Sequence, residues 1–137
     1  ENIKISYFNK IASDGGFTYS YLHTDNKLAA LVKLDKEQPE LGRDIAMQVS
    51  ANNPLAISSE DIDQNVLNKE KEIAIATLEN ENKPDDIKEK IVIGKLNKFK
   101  QENSLIEQPF IKNPDQKIKD ILDGTNILAF ARKKVGQ

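Results

Sequence analysis

The residues that could carry covalent or metal chemistry are few in this sequence. It has one histidine, His23, and no cysteine, so a catalytic triad would need another base, and a site of several histidines or thiolates is excluded. Acidic residues are plentiful, but the runs "EDID", "KEKE" and "PDDIKEK" lie on predicted helix surfaces, where solvated side chains are expected. We therefore predict a binding module, not an enzyme, with no catalytic residue, metal or cofactor. Only a cluster of buried carboxylates in the folded structure would support the alternative of an enzyme with acid–base chemistry.

Signals for phosphate and nucleic-acid recognition are also missing from the sequence. The only adjacent glycines, Gly15 and Gly16, fall in a turn between predicted strands, and the only arginines are Arg43 and Arg132. Twenty Lys and Arg against 22 Asp and Glu give a formal charge of −2. Neither nucleic acid nor an anionic membrane surface is therefore expected as a partner.

Three places could display residues to a protein partner. Phe110, Ile111 and Lys112 lie in "QPFIKNP", a segment enclosed by prolines that we expect to be extended. His23 ends the predicted strand "FTYSYLH" at a hairpin, and two predicted helices leave an outer face free. Two simpler interpretations stay open, because Phe110 is also suited to anchoring the core and His23 to a turn.

Residue patterns outside the middle of the chain indicate a small sheet with a helix on it. Alternating or continuous apolar runs predict strands in "IKISYF" (3–8), "FTYSYLH" (17–23), "KLAALVKL" (27–34) and "NILAFARK" (126–133). Pro39 opens a helix that "NNP" at 52–54 ends, and its apolar stripe should lie on the sheet. A short helix is expected with Asp115 as its cap and Gly124 at its end.

The apolar pattern of residues 58–103 predicts two helices of roughly 20 residues joined by a short polar loop. Ser58 and Asp61 have capping-box spacing for the first, and "PDD" at 84–86 begins the second. The first should have a seam of Ile62, Val66 and Ile73 with Leu67, Ala74 and Leu78 beside it, and the second an apolar face of Ile87, Ile91, Val92, Leu96 and Phe99. An antiparallel helical hairpin is expected, in which Gly94 serves a close helix crossing or the approach of a partner's backbone.

Composition limits the size and environment of the chain. Its 137 residues suffice for one domain with a buried core, and no apolar run approaches the roughly 20 residues of a membrane span. The absence of cysteine agrees with a reducing, intracellular compartment. Because the chain begins at Glu1 without Met, we expect it to be a piece of something longer.

Three runs in fixed order resemble the C-terminal half of bacterial translation elongation factor Ts. They are "RDIAMQVSANNP" (43–54), "KPDDIKEKIVIGKLNKF" (83–99) and "SLIEQPFIKNP" (104–114), and the resemblance covers essentially all 137 residues. It implies an α+β fold, a three-stranded antiparallel sheet packed with helices, with an inserted antiparallel coiled-coil hairpin. Residues 1–57 and 104–137 would form the core subdomain and residues 58–103 the insertion.

The resemblance further implies a guanine-nucleotide exchange factor that promotes GDP release from elongation factor Tu. This half of the family grips the third domain of that GTPase, and the positions matching its contacts are Tyr21 and His23, in Tyr-x-His, and Phe110, Ile111 and Lys112, in and after Gln-Pro-Phe. The threonine-aspartate-phenylalanine-valine motif that disturbs the nucleotide site in the family is absent from the sequence. A cytoplasmic location is implied, or an organelle matrix for a eukaryotic source. The alternative is a structural module that self-associates through the helical hairpin.

Overall fold

A three-stranded antiparallel sheet forms the centre of the computed structural model, which describes residues 15–23 and 27–134. The strands are β1 (Phe17–Leu22), β2 (Leu28–Leu34) and β5 (Ile127–Lys134), in the order β1-β2-β5. Strands β1 and β2 pair as a hairpin, extended by a 2.9 Å hydrogen bond from the His23 N–H to the Leu28 carbonyl. The predicted α+β class and three-stranded antiparallel sheet are confirmed. The strand predicted at residues 3–8 lies outside the described residues.

The central position of β2 explains its nearly continuous apolar sequence. Residues 30–34 of this strand are all buried, because β1 and β5 flank it and side chains on both faces are covered. On one face Val32 and Ala30 pair across the ladder with Tyr19 and Tyr21 of β1, and both tyrosines pack against the main core. The alternation predicted for "FTYSYLH" therefore holds for its tyrosines.

Helix α1 (Pro39–Asn52) covers this face of the sheet. Its predicted bounds are confirmed: proline occupies the first turn, and Asn53 ends the helix in a left-handed conformation with a φ of 43°. Ile45 and Val49 are completely buried against the strands. A methyl group at Gly42 would overlap the ring of Tyr19, so glycine permits the close approach of α1 to β1.

The main core joins the sheet, α1 and the segment after residue 104. Apolar residues from every one of these parts are buried together. They are Ala30, Val32, Leu34, Ile45, Ala46, Val49, Leu105, Phe110, Ile118 and Ile127.

The middle segment of the chain lies outside the main core, and the two ends of this segment meet at one place beside it. Here the N–H groups of Leu55 and Leu105 donate to the carbonyls of Asn103 and Ala56, each at 2.9 Å. Ala56 and Ser104 form a parallel bridge, and Ser104 is completely buried. The two ends of the middle segment are therefore adjacent in space.

Helix α2 (Gln64–Leu78) begins later than its predicted capping signal. Ser58 donates to Asp61 at 3.0 Å, but this pair lies in a 3₁₀ turn at Ser59–Asp61, and Asp63 caps the helix by accepting from the Asn65 N–H at 2.9 Å. The predicted start was wrong because the hydroxyl–carboxylate pair leaves the backbone N–H groups of an α-helix uncapped.

The predicted seam of the first helix is confirmed at its start, where Ile62 is buried and Val66 packs beside it, but not at Ile73. Leu67, Ala74 and Leu78 are buried, whereas Ile73 is 51% exposed. In the later turns of α2 the residues expected beside the seam are the buried ones, because Ala74 and Leu78 face a second helix there.

Helix α3 (Asp85–Asn103) begins where "PDD" predicted, directly after Pro84. Val92 packs with Ala74 and Leu78, while Phe99, farther along α3, packs beside Leu67, nearer the start of α2. Of the predicted apolar face, Val92 is buried, Ile91, Leu96 and Phe99 are partly buried at the contacts with α2, and Ile87 is 40% exposed. Within the described part of the chain, every helix is too short or too polar to cross a membrane.

Gly94 does not lie at a close helix crossing, which was one of its two predicted roles. An added methyl group there would find no described atom within 4 Å, because this residue lies on the exposed side of α3. The helices approach each other instead through Ala74 and Val92.

The proline-rich segment folds back on itself instead of remaining a single extended strand. Strands β3 (Pro109–Phe110) and β4 (Asn113–Lys117) form a small antiparallel sheet. Asp115 lies in β4 and not at a helix cap, because helix α4 (Ile118–Ile121) begins three residues later, where Asp120 accepts from the Lys117 N–H at 2.9 Å. Gly124 does not end this helix as predicted, because α4 stops at Ile121 with Leu122 as its C-cap; Gly124, with a φ of 80°, lies in the turn that follows.

Candidate partner-binding site

Ile111 and Lys112 form the turn between β3 and β4, which we call the 111–112 turn. Phe110 pairs with Asn113 across the small sheet, so Ile111 and Lys112 alone connect the two strands. Phe110 is only 7% exposed and lies in the main core, as its core-anchor interpretation predicted, whereas Ile111 is 39% exposed. A buried anchor thus presents an apolar side chain at the surface.

The buried side chain of Gln48 holds the backbone of this turn. Its Oε1 atom accepts from the Ile111 N–H at 3.0 Å, and its Nε2 atom donates to the Pro109 carbonyl at 3.0 Å. Nε2 also lies 3.3 Å from Oε1 of Gln108. Both ends of one amide are therefore used on the segment that carries Ile111.

A second buried amide continues this network toward α3. Gln108 is 2% exposed, and its Nε2 atom donates to the carbonyl of Glu102, in the last turn of that helix, at 2.9 Å. The network thus connects the end of α3, the 111–112 turn and α1. Because buried amides without partners are strongly destabilising, these bonds specify one arrangement of the three parts.

Lys112 is tied to the same helix by an ion pair. Its Nζ atom lies 2.6 Å from Oδ1 of Asp44, which precedes Gln48 by one helical turn. The Asp44 side chain is 17% exposed and that of Lys112 is 55% exposed. The ammonium group therefore reaches toward α1 and leaves Ile111 as the more accessible apolar group of the turn.

Tyr21 lies in β1, and His23 directly follows this strand. Tyr21 is half-buried and packs against the cluster that contains Phe110. His23 is exposed, and its backbone closes the β1–β2 hairpin. The main core thus connects the two predicted contact regions through Tyr21 and Phe110.

Charged groups border the start of the small sheet. Glu107 accepts from Lys117 at 3.2 Å and from Lys119 at 3.0 Å. Hydrogen bonding to Lys119, reinforced by Lys117, lowers the pKa of the Glu107 carboxyl below its ordinary value of 4.5, against the opposing effect of partial burial. The carboxylate is therefore ionised at neutral pH and fastens β4 and α4 to the segment before β3.

Sequence patterns did not identify Asp44, Gln48 or Gln108 as parts of this site. One signal was present, since Gln48 is a polar residue between Ile45 and Val49 on the apolar stripe of α1. A buried glutamine needs hydrogen-bond partners, but its partners lie about 60 residues away, beyond the reach of local patterns. In residues 15–23 and 27–134, no three His, Cys, Asp or Glu side chains are grouped so that they could hold a metal ion.

Fold and site together describe a small α+β module with a surface turn held by buried hydrogen bonds, an arrangement typical of loops that recognise other proteins. The family profile for elongation factor Ts matches residues 1–137. This chain belongs to the elongation factor Ts family.

Three relatives illustrate the extent of the similarity. Elongation factor Ts of Marinobacter nauticus is 43% identical over 139 residues and that of Teredinibacter turnerae 40% over 140, and each alignment covers all of this chain. Elongation factor Ts of Clostridium kluyveri is 43% identical over 120 residues, or 84% of the chain. The chain spans about half the length of the curated relatives it matches, 47% and 48% for the first two.

Proposed function

We propose that this chain is the part of a guanine-nucleotide exchange factor that grips the third domain of elongation factor Tu. The 111–112 turn is the observation that carries the proposal. Its exposed Ile111 lies at a position that matches a family contact, above a buried Phe110. His23 and Tyr21 supply the second contact region, and Lys112 borders the first.

Exchange on this proposal is a linkage effect and needs no covalent step. A protein that binds the nucleotide-free GTPase more tightly than the nucleotide-bound form weakens nucleotide binding by the same factor. The chain itself contributes affinity and orientation through the two contact regions. No proton or phosphoryl group is transferred, so the chain acts without catalytic residues or a cofactor.

The motif that disturbs the nucleotide site in the family is absent from these 137 residues. We therefore expect the chain to bind elongation factor Tu weakly and to accelerate GDP release little. Release of a fluorescent GDP analogue during titration with the chain, together with calorimetry, tests this. Binding without faster release supports the proposal, no binding overturns it, and release as fast as with a full-length factor overturns the division of labour.

The division into a core subdomain, residues 1–57 and 104–137, and an insertion, residues 58–103, belongs to the same proposal. The hydrogen bonds from Leu55 to Asn103 and from Leu105 to Ala56 support it, because they bring the two ends of the insertion together. Replacing residues 58–103 by a short Gly-Ser linker should leave the sheet folded, with β2 amides still protected from hydrogen exchange. Loss of that protection would contradict the division.

We further propose that α2 and α3 form an inserted coiled-coil hairpin. The packing of Ala74 and Leu78 on Val92, and of Leu67 beside Phe99, supports it. The alternative function, self-association through this hairpin, is favoured by Ile73 and Ile93, which are 51% and 52% exposed. Sedimentation with and without residues 58–103 separates the two functions, since only the alternative predicts a dimer that depends on the insertion.

A further inference from the structure

Gln48 uses its amide in a way that packing alone does not require. The side chain is completely buried within the apolar stripe of α1, where an aliphatic residue of similar volume would fill the same space. A buried amide is retained without loss of stability only if its donors and acceptor are all satisfied. Its partners therefore indicate what the glutamine does.

Those partners flank the residue that anchors the turn. Gln48 accepts from the N–H of Ile111, after Phe110, and donates to the carbonyl of Pro109, before it. Two main-chain groups two residues apart are thus bound by one planar amide, much as a neighbouring strand would bind them. The backbone direction at Ile111, and with it the direction of the exposed side chain, is set by α1.

Asp44 acts on the next residue from the same helix. Its ion pair with Lys112, at 2.6 Å, lies one helical turn before the Gln48 contacts. Consecutive residues of the turn, 111 and 112, are therefore each connected to α1. Without these connections, two strands of two and five residues would be left to define the turn.

We propose that Gln48, assisted by Asp44, is a positioning residue that holds the 111–112 turn in its partner-binding conformation before the partner arrives. The inference rests on the proposed function, because it assumes that Ile111 contacts elongation factor Tu. Ordering a loop in advance improves affinity because the ordering is not required at the moment of binding. Gln48 touches no partner atom on this proposal and acts through the backbone of Ile111.

The test replaces the amide with an apolar group of similar size, Gln48→Met. Its matched control is Val49→Ala, which damages the adjacent buried position of α1 but has no hydrogen bond to the turn. Amide hydrogen exchange of the chain alone and its affinity for elongation factor Tu are measured at a temperature where both variants are folded. Gln48→Met should speed exchange at the Ile111 amide at least tenfold relative to the control and weaken binding about tenfold.

The outcomes separate the positioning role from the proposed function. Unchanged protection at Ile111 in Gln48→Met, or a loss of affinity no greater than in Val49→Ala, would overturn the positioning role. Faster exchange at Ile111 together with no binding by the unmodified chain would support the connection to α1 but overturn both the proposed function and the binding role assigned to Gln48.

A measurement on the unmodified chain covers the case in which Gln48→Met does not fold. The Ile111 amide should exchange at least tenfold more slowly than an unstructured amide of the same sequence, because it donates a hydrogen bond to Gln48. Exchange at the unstructured rate would overturn the proposal without any variant.

Discussion

The sheet with α1 and the pair formed by α2 and α3 differ in how they treat the same kinds of apolar residue. In the first region Val32, Leu34 and Ile45 are completely buried. In the second, the contact consists mainly of Ala74, Leu78 and Val92, and isoleucines remain at the surface. These exposed residues are Ile73, Ile75, Ile87 and Ile93, each 40–52% exposed.

Apolar residues therefore stabilise the fold in the first region, whereas in the second many of them remain exposed to solvent. Side chains of the sheet region contribute most of the buried apolar area and should unfold only with the whole domain. The helix pair has fewer buried contacts, so we expect its amides to open at lower free energy. The 111–112 turn is hydrogen-bonded to α1 of the first region, so its geometry is set by the more stable part of the chain.

The strongest test compares truncation of one isoleucine from each region. Ile45→Ala removes a completely buried side chain and should lower the free energy of unfolding by about 4 kcal/mol. Ile73→Ala, at a 51% exposed position, should change it by less than about 0.5 kcal/mol. Urea unfolding followed by circular dichroism measures both, and equal losses would show that the two regions are equally dependent on burial.

Two glycines allow the same substitution to be made in each region with opposite expected sign. Gly42→Ala forces a methyl group into the ring of Tyr19 and should destabilise the protein by about 3 kcal/mol. Gly94→Ala enters open space on α3 and should stabilise the helix by up to about 1 kcal/mol, because alanine has the higher helix propensity. Thermal unfolding of both variants checks the signs; a stabilising Gly42→Ala would contradict the packing of α1 on β1.

Binding measurements test which region would contact the proposed partner, elongation factor Tu. Ile111→Ala and His23→Ala should each weaken binding to elongation factor Tu about tenfold, roughly 1.4 kcal/mol, with little change in melting temperature, because both residues are exposed. Ile93→Ala, an equally apolar change on the exposed surface of α3, serves as the control and should bind normally. Calorimetry gives the affinities. A large fall in melting temperature for Ile111→Ala would favour a core role, and weakened binding by Ile93→Ala would move the contact to the helix pair.

The smallest effect concerns the charged link after α3, where the two regions join. Since the pKa of Glu107 is lowered in the folded protein, its stabilising effect is present above pH 4.5, the ordinary value, and is lost as pH falls through the folded pKa. With its side chain 21% exposed, the effect should be under about 1 kcal/mol.

Glu107→Gln removes this contribution and provides the matched measurement. Melting temperatures between pH 3 and 7 should differ between variant and unmodified chain above about pH 4.5 and converge as the pH falls through the lowered pKa of Glu107. The carboxyl of Asp35, whose pKa is lowered by hydrogen bonds from Asn126, is present in both proteins and cancels from the difference. A constant difference at every pH would indicate that the Lys117 and Lys119 contacts do not depend on the charge of Glu107.

Local patterns predicted elements best where one chain segment decides its own structure. Pro39 and Asn53 bound α1 as expected, and the apolar runs of β2 and β5 became strands. The prediction of a helix start failed where one local signal, a hydrogen-bonded pair with capping-box spacing, is compatible with either an α-helix or a 3₁₀ turn. The pair of Ser58 and Asp61 formed a 3₁₀ turn instead of a helix start.

The 111–112 turn shows why the rest of the site lay beyond local patterns. Prolines at 109 and 114 predicted irregular, extended backbone, but pairing of β3 with β4 depends on how the segment meets α1. Likewise, the exposure of Ile73 and the burial of Ala74 depend on which face of α2 meets α3. An apolar residue is suited to either position, so only the neighbouring helix distinguishes them.

The sequence by itself determined the α+β composition, the bounds of the central strands and α1, and the family, because periodicity, prolines, glycines and ordered motifs are properties of short stretches. The tertiary structure alone decided that Gln48 binds the backbone on both sides of Phe110, that Asp44 pairs with Lys112, and that Gly94 faces open space. These contacts join residues some 60 positions apart or depend on which helix face is covered, and such choices are made by the packing of the whole chain.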